Sequence, residues 1–172
     1  LMAGADTRAT ARALASAAEK LGPFDAVFCG CKAIDGETGQ VPGELAAALG
    51  LPCISNAEKV EAAGDELLVT RRLEDGVQNL TVSGSAVISF SSYSYPLRLA
   101  GIPGMRRARK TPVEILTAAD LGLTPEDCGL KGSLTKVVAM ESRFPGLRRG
   151  PKETDLDAGV QNLRVLLREV RP

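Results

Sequence analysis

The segment Phe24-Asp25-Ala26-Val27-Phe28-Cys29-Gly30 constrains this chain more than any other. It is a short, nearly continuous apolar run that ends in glycine, the pattern of a strand buried in a parallel sheet. Ahead of it, Asp6 and Thr7 are suited to cap a helix, and the alanine-rich run Arg8–Leu21 follows until Gly22-Pro23 stops it. Behind it, a polar loop leads into Pro42–Gly50, a short helix with Pro near its start and Gly at its end. Leu51-Pro52-Cys53-Ile54-Ser55 begins another strand. Helix and strand alternating in this way specify an α/β fold.

The pattern then changes. Leu67-Leu68-Val69, the turn Glu74-Asp75-Gly76, Val77–Val82 and Ala86–Phe90 form short strands with turn signals between them, an antiparallel extension on the parallel sheet. Tyr93–Lys110 is rich in Pro and Gly and has no period, which predicts a long loop. Val113–Leu116 and Val137–Met140 read as strands, and Ala118–Gly122 as a short turn of helix. Phe144–Lys152 has linker composition. After it, Leu156, Val160, Leu163, Leu167 and Val170 recur at helical spacing behind a cap at Thr154 or Asp155. The predicted division is therefore residues 1–143 as one α/β domain and residues 144–172 as a linker with a C-terminal arm helix. Leu1-Met2-Ala3-Gly4 enters a helix almost at once without an initiating Met, so an N-terminal portion is expected outside this sequence.

Composition excludes several function classes. With aromatics at 3% and no Trp, the core must be built from Ala, Val, Leu and Ile. Lys plus Arg and Asp plus Glu both number 21, so no global field points to nucleic acid or acidic membranes. The absence of His removes the usual catalytic triads and the imidazole-based metal sites, and no catalytic residue or metal ligand is assigned. Cys29, Cys31, Cys53 and Cys128 form no C-x-x-C pair or zinc pattern and read as reduced thiols of a cytoplasmic protein. No apolar run approaches the ~18 residues needed to span a bilayer, so no membrane insertion is expected.

The residues that carry chemistry lie in the loop Gly30-Cys31-Lys32-Ala33-Ile34-Asp35-Gly36-Glu37-Thr38-Gly39-Gln40-Val41-Pro42-Gly43. It leaves the carboxyl end of a strand and enters a helix N-terminus, where ligands sit in open α/β sheets. Small residues admit a ligand to the backbone, helix-start N–H groups suit phosphate oxygens, and Thr38 and Gln40 add side-chain hydrogen bonds. The loop is neither a Walker sequence nor a G-x-G-x-x-G fingerprint. By spacing alone, a ligand loop and an ordinary strand-to-helix connection stand even.

The run Asp6–Ala11, the loop Cys29–Val41 and Gly50-Leu51-Pro52 together resemble the beta subunit of electron transfer flavoproteins. Arg71–Gly76, Arg107–Pro112 and Ala118–Gly122 extend the resemblance, in order, over nearly the whole chain. It implies a doubly wound, mostly parallel, nucleotide-binding Rossmann-like sheet. It also implies that Gly30, Cys31, Lys32, Ala33, Asp35, Gly36, Glu37, Thr38, Gly39, Gln40 and Val41 wrap a cofactor, with Thr7 and Thr10 at the adjacent helix start. That cofactor is AMP in ordinary members and a second FAD in electron-bifurcating ones, and the Asp-Gly-x-Thr-x-Gln-Val form here is closer to the FAD group. Bland readings stand beside these: Cys31 as a small buried thiol, Lys32 as a solvated lysine, Asp6 or Thr7 as a plain cap.

The implied partners are an FAD-bearing alpha subunit and a flavin-dependent, acyl-CoA-type dehydrogenase. The stretch Tyr95–Met105 falls where the family recognises its dehydrogenase, with Ile102 as the apolar anchor and Arg98 and Pro103 beside it. Arg98 alone remains of the family's Asn-Glu-Pro-Arg-Tyr stretch, which leaves the partner open. The basic run Arg106, Arg107, Arg109, Lys110 is either a solvated face or part of that contact. Two other functions are weighed against the electron carrier. One is a subunit that binds nucleotide only for structure or regulation. The other is an ATP-using enzyme of related fold, which would need a triphosphate loop and a metal carboxylate that the sequence lacks.

Overall fold

Ala86-Val87-Ile88-Ser89-Phe90 is the strand around which the rest is built, and its first four residues are buried. The computed structural model describes residues 2–91, 94–139 and 154–169. Among them, β1 (Ala26–Gly30), β2 (Cys53–Ala63), β3 (Glu66–Leu73), β4 (Gly76–Ser83) and β5 (Ala86–Phe90) form one sheet in the order β1-β5-β2-β3-β4. β5 pairs in parallel with β1 on one side and β2 on the other. β2 with β3, and β3 with β4, are antiparallel. The sheet is thus evenly mixed rather than mostly parallel, because the extension contributes as many pairings as the parallel part.

β2 serves both parts because it changes partner midway. Cys53 and Ile54 pair with β5, then a bulge intervenes and the strand continues against β3 from Ala57. Asn56 adopts φ 58° there, a left-handed conformation that Asn tolerates better than most residues. Continuation of the strand to Ala63 was not legible in the sequence, since half-buried Glu58 and exposed Lys59 and Glu61 dilute its alternation.

The alternating side chains of β5 divide the core. Val87 packs with Ala11, Ala15, Leu45 and Ala46 from the helices α1 (Thr7–Leu21) and α2 (Val41–Leu49). Ala86 and Ile88 pack with Ile54, Ala57, Val69 and Val82 from β2, β3 and β4. Val87, Ile88 and Val69 are the largest fully enclosed side chains. Truncating Ile88 to Ala would cost about 2–5 kcal/mol. Small residues on α1 let its backbone come close to α2, as the alanine run predicted.

Both helices end as their sequences indicate. Asp6 caps α1, its carboxylate accepting the Ala9 N–H at 2.9 Å. α2 stops at Gly50, whose φ of +66° and bonds back to Ala46 and Ala47 close the last turn.

Three connections differ from expectation. Ile102–Lys110 is a nine-residue helix, α3, and not loop. Pro103 in its first turn and Arg107, Arg109 and Lys110 in its last suit a helix, but Gly101, Gly104 and the missing apolar period obscured it. Val113–Leu116 and the described part of the second segment, Val137–Ala139, form no strand. Val113, Ile115, Val137 and Val138 are exposed and find no sheet edge. Ala119–Leu121 is the expected helical turn, followed by a second one at Pro125–Asp127 and a short helix α4 (Gly129–Gly132).

Leu1–Lys136 and Val137–Pro172 are separate compact units. In the second, α5 (Leu156–Glu169) starts at Asp155, which accepts the N–H groups of Asp157 and Ala158. The linker segment Phe144–Lys152 and Val170 lie outside the described residues. Among the described residues no helix is long and apolar enough to cross a membrane, and no disulfide joins the four cysteines.

Candidate functional site

The chain leaves β1 at Gly30, loops over residues 31–40 and enters α2, and the N-terminal turn of α1 stands beside that loop. These pieces line an open crevice of about 520 Å³. α1 contributes Asp6, Thr7, Thr10 and Leu14, and β1 contributes Cys29 and Gly30. Lys32, Ala33, Asp35, Gly36, Glu37, Thr38 and Gly39 come from the loop, and Val41 and Pro42 from α2. Residues singled out in two distant stretches of sequence, Thr7 and Thr10 in one and Gly30–Val41 in the other, therefore meet at one crevice. Cys31 and Gln40 do not line it. Gln40 instead stands at the N-cap position of α2, with Oε1 3.2 Å from the Thr7 hydroxyl.

The loop holds its shape largely by itself. Glu37 N–H donates to the Ala33 carbonyl at 3.0 Å, and Gly36 N–H to Asp35 Oδ1 at 2.8 Å. Glu37 and Gly39 take φ of 50° and 65°. At Gly39 an added Cβ would lie 3.3 Å from the Cys31 carbonyl oxygen in a backbone conformation side chains avoid. Lys32 Nζ sits 3.7 Å from Glu37 Oε1 with both side chains well exposed, a pairing worth ~0–1 kcal/mol.

The charges around the cavity are unbalanced. Lys32 is the one cation among its lining residues, against Asp6, Asp35 and Glu37. The neutral donors beside it are the Val41 N–H in the first turn of α2, Pro42 having none, and threonine hydroxyls. Gln40 makes no side-chain cap bond to that turn, and the Thr10 hydroxyl has no partner among the described residues. Asp6 is already engaged: besides Ala9 it accepts the N–H groups of Leu134 at 2.8 Å and Thr135 at 2.9 Å. The Ala9 bond leads these in holding its carboxyl down to about 2. The Cys29 thiol is pushed up by burial and secondarily by Cys53, so it forms a small neutral wall. Among the described residues no cluster of His, Cys, Asp and Glu could hold a metal ion.

Sequence reasoning missed Leu14 and Cys29 as lining residues. Leu14 follows Thr7 and Thr10 on the same helical face, at seven and four residues, so its signal was present. The tie from Asp6 to Leu134 and Thr135 had no local signal, since it joins residues 128 and 129 apart.

The second predicted region contrasts with the first. Arg98 lies outside any helix or strand, Ile102 and Pro103 begin α3, and all three are exposed. No residue of α3 is buried. Leu97 and Leu99 are each 91% exposed and Ile102 63%, so Ile102 is no part of the core.

Residues 1–121 match the family model described as the electron transfer flavoprotein domain. The electron transfer flavoprotein subunit beta of Thermoanaerobacterium thermosaccharolyticum is 42% identical over 164 residues, covering 94% of this chain and 62% of that protein. The protein of the same description from Clostridium acetobutylicum is 37% identical over 134 residues, 78% of this chain and 51% of the relative. The Caffeyl-CoA reductase-Etf complex subunit CarD of Acetobacterium woodii is 34% identical over the same shares of each chain. This chain spans between about half and three-fifths of the length of these relatives.

Proposed function

This chain belongs to the electron transfer flavoprotein family, and we propose that it serves as a beta-type subunit whose crevice holds FAD or AMP. In this reading it works with an FAD-bearing alpha subunit in the cytoplasm, passing electrons between a flavin-dependent dehydrogenase, of acyl-CoA type, and an acceptor. The doubly wound, Rossmann-like arrangement belongs to the same reading.

One observation carries it: Thr7 and Thr10 on α1 converge with the loop 31–40 on a single cavity at the carboxyl end of β1. A cavity of about 520 Å³ falls within the ~300–1,000 Å³ range of small-molecule sites. The residues fit a phosphate-bearing cofactor through several features at once. Gly36 and Gly39 bring backbone to the cavity, α2 directs its N-terminal dipole at it, and Thr10 and Thr38 offer hydroxyls. The acidic side chains of Asp35 and Glu37 suit ribose hydroxyls better than phosphate, which orients a nucleotide with its phosphates toward α2.

A flavin, when bound, supplies the two-electron chemistry; this chain's residues position it and exclude water. FAD is favoured over AMP by the Asp35-Gly36-Glu37-Thr38-Gly39-Gln40-Val41 sequence. Purifying the full-length complex, recording its visible spectrum and extracting its cofactors tests the assignment. Two FAD, or one FAD and one AMP, per complex supports the reading; one FAD and no second nucleotide contradicts it.

A further inference from the structure

Thr7 was expected to contact the cofactor, yet its hydroxyl is in demand elsewhere. Its Oγ1 lies 3.1 Å from Glu44 Oε1 and 3.2 Å from Gln40 Oε1. A hydroxyl has one proton and cannot donate to both. Glu44 is a carboxylate acceptor in the first turn of α2, and its Oε2 is enclosed without a hydrogen-bond partner among the described residues. An enclosed carboxylate with one oxygen unserved has the stronger claim on the proton. The Gln40 amide satisfies the remaining contact when its NH₂ faces Thr7, so that Gln40 donates to Thr7 and Thr7 donates to Glu44.

We propose that Glu44 is a positioning residue of the nucleotide crevice, acting through this Gln40–Thr7–Glu44 relay. The relay rests on the reading of the crevice as a nucleotide site. It joins the three elements that carry the cavity's walls, through the first residue of α1, the last residue of the loop and the first turn of α2. With Thr7 committed to Glu44, the hydroxyl that remains for a ligand on α1 is that of Thr10, one turn further along and lining the same cavity. Gln40 and Thr7 thus act by holding the loop against α1, and Glu44, which lines no part of that cavity, fixes both.

The test uses the full-length complex with its alpha subunit, stripped of the crevice nucleotide and titrated with AMP and with FAD. Glu44→Ala is expected to weaken binding about tenfold, the loss of one charge-assisted hydrogen bond. It is also expected to speed backbone amide exchange over residues 36–41 in the unliganded complex. Glu44→Gln keeps an acceptor for Thr7 and is expected to bind within about twofold of the parent. Thr7→Val, which breaks the relay from the other end, should reproduce Glu44→Ala, and Thr7→Ser should not. The relay is overturned if Glu44→Ala binds and exchanges like the parent, or if Glu44→Gln loses as much as Glu44→Ala. A parent complex that takes up neither nucleotide overturns instead the underlying assignment of the crevice.

Discussion

Two segments rich in small residues, 31–43 and 94–110, end in different surroundings. The first is anchored at both ends, by β1 on one side and by α2 on the other, and its residues fold inward around a cavity. The second is tied to the sheet only at its start, by Ser94 to the Ala57 carbonyl and by Tyr95 to Val60 and Phe90, and ends in a helix with no buried residue. The first concentrates polar groups and displays one large apolar side chain, Ile34; the second displays Leu97, Leu99 and Ile102 to solvent. A ligand crevice needs a preformed shape, whereas a docking surface needs reachable apolar anchors. The proposed division of labour is cofactor at the first segment and dehydrogenase at the second.

Substitution at Gly39 should separate the two most strongly. Gly39→Val places a β-branched side chain at φ +65° and 3.3 Å from the Cys31 carbonyl, on the wall of the crevice. Crevice nucleotide should be lost from the purified complex while circular dichroism keeps its native form. Unchanged nucleotide content would break the comparison at its cofactor end.

Ile102→Ala should do the reverse. Electron transfer to the cognate dehydrogenase should slow by one to two orders of magnitude, about 1.4–3 kcal/mol for one lost anchor. Nucleotide content and melting temperature should not move. Loss of flavin or early melting would place Ile102 in the core after all.

A smaller effect is expected at Asp6, which lines the crevice but serves the fold. Its carboxyl is held to about 2 in the folded chain, below the ordinary value near ~3.9. The stability it contributes is fully present above pH ~4 and is lost as pH falls toward 2. Asp6→Ala should lower stability at neutral pH by about 1–2 kcal/mol, a cap together with its ties to Leu134 and Thr135. The gap between parent and variant should narrow in melts taken from pH 5 down to pH 2. A constant gap would mean that Asp6 acts by packing alone.

The contrast also explains what the sequence could reveal. The crevice was legible because its parts are local: a short apolar strand, which stands at the sheet edge with no residue buried, small loop residues and a Pro-initiated helix carry their own signals within about 20 residues. The evenly mixed sheet was less so, since the turn of β2 at Asn56 depends on a partner change that leaves no periodic mark. α3 resembles a loop in sequence because a helix with no buried face shows no apolar period. Val113–Leu116 was read as a strand because apolar composition alone does not supply a sheet edge. The Thr7–Gln40–Glu44 contacts and the anchoring of Asp6 to Leu134 and Thr135 arise only when the chain folds.

The cofactor site itself is tested most directly by amide hydrogen exchange on the full-length complex, with and without added AMP or FAD at the crevice. Slowed exchange at residues 7–10 and 31–43, with none at residues 96–110, is the expected result. Protection confined to residues 96–110, or no protection at either segment under saturating nucleotide, would contradict the assignment of the crevice.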